Sequence, residues 1–169
     1  MLKNKNLIQK GFTIVELLIV IVVIAILAAL VLNTFAGVQE KARDSDRQND
    51  VATITKHLET YYTNHNNYPS YAQLSDANWV KDNMKGLAPD AFQAPGDTDS
   101  SLASSATGLD NNAKKISYVY VPLDGSSGTD AACTGDTTGT DSTCTKFSLT
   151  WYKEADDLSA QVTNSLSGQ

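Results

Sequence analysis

The chain has 169 residues and a formal charge of −6, and its apolar residues are gathered at one end. That length holds one modest domain plus a long extra element. An acidic chain with no basic stripe beyond its first residues excludes a nucleic-acid surface as its main purpose, and no direct nucleic-acid partner is expected. No phosphate-cradling glycine loop and no nucleophile elbow is present, so catalysis is not expected either.

Residues 1–11 carry Lys3, Lys5 and Lys10 and no acidic residue. From Leu17 to Leu32 there are sixteen apolar residues without a break, and with residues 12–16 and 33–36 the stretch reaches twenty-five. As a helix it would extend about 37 Å at ~1.5 Å per residue, beyond the ~20 residues that cross a bilayer core. The three lysines predict that the N-terminus stays in the cytoplasm and the remainder crosses. Without them ten basic residues face nineteen acidic ones, a balance of −9 on the exported part. Glu16 is the one charge within the apolar stretch. A carboxylate in hydrocarbon is costly and requires a partner or a purpose. In an ordinary secretory signal the small residue follows the apolar run; here Gly11 precedes it. Cleavage after Gly11 would discard the basic leader and keep the helix, whereas an uncleaved signal anchor would satisfy the topology equally.

The run Lys10-Gly11-Phe12-Thr13-Ile14-Val15-Glu16-Leu17-Leu18 resembles the class III leader and mature start of type IV pilins and pseudopilins. The resemblance is specific over residues 10–36, looser over 37–69 and architectural beyond. It implies a pilin-like α+β fold, cleavage between Gly11 and Phe12 by a membrane-bound prepilin peptidase, and N-methylation of Phe12. It also implies that Glu16 pairs with the N-terminal amine of a neighbouring subunit in a homo-oligomeric helical filament, built by an assembly platform and ATPase motors. The pairing has a physical basis: cleavage creates a cation at Phe12, and each charge buried in a filament core needs an opposite partner to offset its desolvation. Family members often carry a proline midway along the stem, where Asn33 stands here. That departure removes the support for local melting, and a continuous helix is expected, with Asn33, Thr34 and Gly37 as its weak points.

No proline occurs before Pro69, so one helix is expected over residues 12–66. Residues 40–50 (EKARDSDRQND) mix both signs and read as a solvated collar outside the membrane. Val51, Ile54, Leu58 and Tyr61 recur at helical spacing and predict the face that packs on a sheet. The Tyr68-Pro69 step ends the helix. His57 and His65, eight residues apart, lack the further ligands a zinc site needs and read as solvated positions.

The remainder predicts a short helix over residues 78–85, a polar loop over 96–112, strands over 116–121 and 146–152, and a third strand over 157–164. Three antiparallel strands on one helix make a small core, with Phe147, Leu149 and Trp151 facing the Tyr61 side. The domain organisation is therefore a cleaved leader (1–11), a membrane and assembly helix (12–36), its exposed continuation (37–67) and a globular head (68–169). Cys133 and Cys144 lie in a long polar loop on the exported side, where a disulfide persists. Two free thiols are the rival reading, and a CxxC redox centre is excluded by the spacing. Asp97, Asp99, Asp130, Asp136 and Asp141 are weak oxygen-ligand candidates for Ca²⁺, but no EF-hand spacing is present and no cofactor is otherwise expected.

These readings converge on a structural subunit of a type IV pilus, first a single-pass protein of the cytoplasmic membrane and then part of an extracellular filament serving adhesion, motility or DNA uptake. Two alternatives are a pseudopilin of a type II secretion or competence system, and a membrane-anchored binding module that never polymerises.

Overall fold

A computed structural model describes residues 11–88, 90–96, 102–125, 131–133 and 144–166. The chain divides into two compact units, Met1–Gln39 and Glu40–Gln169. Helix α1, Ile14–His65, contributes to both.

In the first unit α1 supplies the whole of the described secondary structure, and every described side chain from Gly11 to Gln39 is exposed. Ile14–Val31 has a mean hydropathy of 3.4, with none of it buried, and is long and apolar enough to cross a membrane.

The second unit is α+β. The remainder of α1 ends where Asn66 takes the left-handed conformation (φ 58°) and donates its N–H to the Tyr62 carbonyl at 2.7 Å; asparagine tolerates that geometry better than most residues. Two short helices follow. In α2, Tyr71–Ser75, Ser70 and Gln73 form a reciprocal capping box, and in α3, Ala77–Asn83, Asp76 caps the N–H groups of Asn78 and Trp79. Strand β1 is Leu102–Ala103. Helix α4, Asn111–Ile116, is capped by Asp110 and leads into β2, Tyr118–Asp124. Strand β3 is Ala131–Ala132, and β4 is Lys146–Lys153. A 3-10 turn, Glu154–Asp156, and two left-handed residues, Asp157 and Leu158, reverse the chain into β5, Ser159–Asn164.

The sheet order is β1-β2-β4-β5, with β3 also paired to β2. Strand β4 is antiparallel to both β2 and β5, so the expected three-stranded antiparallel core is present. The sheet as a whole is mixed, because β1 runs parallel to β2 through Leu102↔Tyr118 and Ala103↔Val119. The polar composition of residues 96–112 predicted only a loop there. The parallel bridge arises because α4 carries the chain back between the two strands, and Tyr71 Oη donates to the Leu102 carbonyl at 3.0 Å.

Val51, Ile54 and Leu58 of α1 join Phe147, Leu149 and Trp151 of β4, together with Tyr118 and Tyr120 of β2, in one buried cluster. Tyr61 departs from its expected place. Its ring meets His65 (4.0 Å between centroids) and Trp79 of α3 (5.5 Å). Tyr62 takes over the sheet side by stacking on Tyr68 at 4.6 Å, and Tyr68 meets Phe147 edge-on at 4.9 Å. The reason is helical phase, since four residues beyond Leu58 the same face carries Tyr62.

Candidate functional site

The front of α1 is built as a helix cap. Gly11, Phe12 and Thr13 precede the helix. The Thr13 N–H and its Oγ1 both donate to Glu16 Oε2 at 2.9 Å, and the Glu16 N–H donates to Thr13 Oγ1 at 3.2 Å. This is a capping box, in which residues N-cap and N3 satisfy each other's orphan N–H groups. The pattern Thr13-x-x-Glu16 is legible in the sequence, and it makes Glu16 a capping residue as well as a charge. Both bonds to the carboxylate fall on Oε2, and no bond to Oε1 occurs among the described residues. Phe12 is exposed, and a Cβ on Gly11 would meet nothing within 4 Å. The lysines of residues 1–10 lie outside the described residues.

The apolar surface that follows carries no polar interruption up to Leu32 except Glu16. Every described side chain of this surface is exposed. A contiguous apolar face of this size marks a membrane or protein contact.

In the second unit residues 40–50 are not a solvated collar throughout. Asp44 and Arg47 are buried, at 5% and 1% exposed. The Asp44 carboxylate accepts from the N–H groups of Glu154 and Ala155 at 2.8 and 2.9 Å, capping the 3-10 turn. Arg47 donates to Asp44 Oδ1 at 2.9 Å, to the Lys115 carbonyl and to Glu154. Arg43 reaches Glu154 Oε2 at 2.6 Å and Oε1 at 3.1 Å. The Arg43 and Arg47 guanidinium groups hold the Glu154 carboxyl down at about 2 despite its burial, and Glu154 in turn raises Arg43. One turn further on, Tyr118 Oη donates to Asp50 Oδ2 at 2.7 Å; burial raises both groups above their ordinary values. Residues 43, 44 and 47 share one helix face. Their partner Glu154 is more than a hundred residues away, which the local charge pattern cannot reveal.

Cys133 and Cys144 form a disulfide, with Cα atoms 5.8 Å apart. Cys144 is buried in the core, and its carbonyl accepts from the Tyr68 N–H at 2.7 Å, while the Cys133 N–H donates to the Pro122 carbonyl at 3.0 Å. The loop's base is thereby tied to both the helix exit and β2. His65 is exposed and stacks on Tyr61, and His57 approaches Gly86. Among the described residues no group of three His, Cys, Asp or Glu is placed to hold a metal ion. The calcium candidates Asp97, Asp99, Asp130, Asp136 and Asp141 all lie outside the described residues.

Residues 7–32 match the family model described as the prokaryotic N-terminal methylation motif. Type II secretion system core protein G of Aeromonas hydrophila is 38% identical over 69 residues, 41% of this chain and 48% of that protein. The protein of the same name from Pseudomonas aeruginosa is 31% identical over 100 residues, covering 52% of this chain and 70% of that one. A fimbrial protein of Neisseria meningitidis is 30% identical over 126 residues, covering 72% of this chain and 71% of its own length. The chain spans about half the length or less of several secretion relatives that it matches. No solved structure matches the chain significantly.

Proposed function

Because the chain belongs to the type IV pilin and pseudopilin family, we propose that it is a structural subunit of a type IV pilus, cleaved after Gly11, methylated at Phe12 and polymerised through the apolar start of α1. The observation that carries this reading is the exposed apolar surface of α1 with a single carboxylate at its front. In the membrane the basic leader holds the N-terminus in the cytoplasm. The prepilin peptidase removes it and leaves a charged amine on Phe12. When an assembly platform and its ATPase move the subunit into the filament, the stems of neighbouring copies cover one another. The Phe12 amine of one copy then approaches Glu16 Oε1 of the next, the oxygen that the Thr13 cap leaves open. Apolar contact supplies the attraction, and the ion pair selects the axial register, since any other stagger strands two charges in an apolar core.

The pilus role is supported by the match of longest reach among those described, which is to a fimbrial protein and takes in 72% of the chain. The second reading, a pseudopilin of a secretion system, is supported by the relatives named type II secretion system core protein G. Both use the same stem, and neither requires chemistry from the head.

Mass spectrometry of filaments sheared from cells tests the reading. The expected result is an abundant chain beginning at N-methylated Phe12. An assembled chain beginning at Met1 would overturn the processing step. Deletion of the gene separates the two roles: loss of long surface fibres supports the pilus, and intact fibres with lost protein secretion support the pseudopilin.

A further inference from the structure

Helices α2 and α3 meet at a single residue. The Asp76 N–H donates to the Gln73 carbonyl at 3.2 Å, and its carboxylate caps the start of α3. Beyond α3 the chain reverses at Gly86, whose φ of 90° suits a residue without a Cβ. The Leu87 N–H donates to the Met84 carbonyl at 3.1 Å and folds the chain back. The two short helices and this returning segment enclose a cavity of about 450 Å³. Leu74 of α2, Val80 of α3, Met84 at its C-cap, and Leu87 and Phe92 of the return line it. All five belong to the buried core cluster.

Protein interiors are close-packed, with few voids larger than a water molecule. Space of this size among core side chains lies within the range of small-molecule sites, which are mostly apolar with a few placed polar groups. Ala77 and Lys81 stand four residues apart on one face of α3. Both are exposed residues of the lining and mark its mouth. Lys81 is the one charged residue of the described lining; the other polar side chains there are neutral. Among the described residues Lys81 forms no ion pair.

We propose that this cavity binds a free medium-chain fatty acid, with its tail among the five apolar side chains and its carboxylate on Lys81 Nζ. Two features select that ligand. The walls are apolar, so a hydrocarbon tail is driven in from water. The charge at the mouth is a cation in a chain whose net charge is −6, which is the complement of an anionic head. A neutral apolar ligand would use the walls and leave Lys81 without a role. The volume admits one tail and not the pair carried by a phospholipid. The site lies wholly within the head, so it stands or falls apart from the pilus reading.

The chain has two methionines, Met1 and Met84, and they supply a probe and its control. The full-length chain is labelled with ¹³C-methyl methionine, held in detergent micelles and titrated with decanoate. The Met84 methyl resonance is expected to shift and saturate, and that of Met1 is expected to follow no saturating curve. Micelles take up part of the decanoate, so midpoints are compared between variants at one detergent concentration. Lys81→Gln is expected to raise the decanoate midpoint about five-fold, the upper end for an exposed ion pair, and to leave the decanol midpoint unchanged. Ala77→Trp, which fills the mouth from an exposed position, is expected to abolish the Met84 response. A Met84 signal that stays still in the unaltered chain, or that moves in proportion to the decanoate added, would overturn the site. So would an unchanged response in Ala77→Trp with an unchanged melting curve. A decanoate midpoint unmoved by Lys81→Gln, or an equal rise for decanol, would overturn the carboxylate's place on Lys81.

Discussion

In the first unit the described apolar side chains are exposed and the one carboxylate is bonded within its own helical turn. In Glu40–Gln169 a run of alternating charges is partly drawn inside and locked to a turn more than a hundred residues away. The usual expectation, apolar inside and charged outside, is reversed in both places. The reversal has a different meaning in each. An exposed apolar face of this size marks a membrane or protein contact, so on the proposed reading it describes an assembly. A buried charge cluster has its partners within the unit, so it describes a fold. Changes in the first unit should therefore alter polymerisation and leave the head's stability untouched, and changes in the second should do the opposite.

The sharpest test is Glu16→Ala. It should reduce filaments below detection while the chain stays in the membrane and the head melts at an unchanged temperature, read by electron microscopy, fractionation and near-UV circular dichroism. Intact filaments would break the comparison at its first unit, whereas a chain that forms no filaments and keeps its function without Glu16 would favour the membrane-tethered module. Next in size is Glu154→Ala, which leaves Arg43 and Arg47 facing no carboxylate on the 3-10 turn. Removing one partner of a buried ion pair costs about 3–5 kcal/mol, so the head's thermal midpoint should fall by several degrees, while detergent-solubilised stems associate as before. Replacing Cys133 and Cys144 by serine should cost the head about 2–3 kcal/mol by chain-entropy reasoning for a loop this short, checked by the same melting curve.

Acid sharpens the comparison within the head. Glu154 sits at about 2 in the folded chain against an ordinary 4.5. Its contribution is thus complete above the ordinary value and is lost as pH falls toward the lower one. Asp50 has the opposite sign: burial raises it, and protonation on acidification relieves the cost of its charge. Glu154→Gln should therefore flatten the loss of head stability between about pH 4.5 and pH 2, and an unaltered acid profile would contradict the assignment. The smallest expected effect is that of Thr13→Ala. Losing one helix cap is worth about five-fold in a population, so filament yield should drop by roughly that factor, and Thr13→Ser should restore it.

Much of this architecture is legible in the sequence, and what is not legible has definite causes. The long helix announces itself by the absence of proline up to Pro69 and by Val51, Ile54 and Leu58 at helical spacing. The β4 strand is readable from Phe147, Leu149 and Trp151 at alternate positions. Strand β2 begins two residues later than its β-branched composition indicates, because α4 claims Ile116 first. The Arg43-Asp44-Arg47 cluster is hidden because its composition is that of a solvated helix face; only the tertiary position of Glu154 turns those charges inward. Strand β1 is hidden because two residues pairing in parallel leave no periodicity to detect. At the proposed assembly site, Gly11, Phe12 and Glu16 stand out from local sequence, since a cleavage motif and a helix cap are both local patterns. Thr13 was readable by the same rule and is the residue that explains how Glu16 is held.

The Thr13–Glu16 box also bears on timing. A lone carboxylate embedded in lipid would press each new copy toward aggregation or extraction. On the proposed reading, with Thr13 holding one oxygen, a newly made chain would carry its own temporary partner and wait in the bilayer as a reserve. The second oxygen would stay open throughout that wait, so recruitment into a filament would require no bond to be broken at Glu16. Supply and assembly would then be separated by the two oxygens of a single side chain.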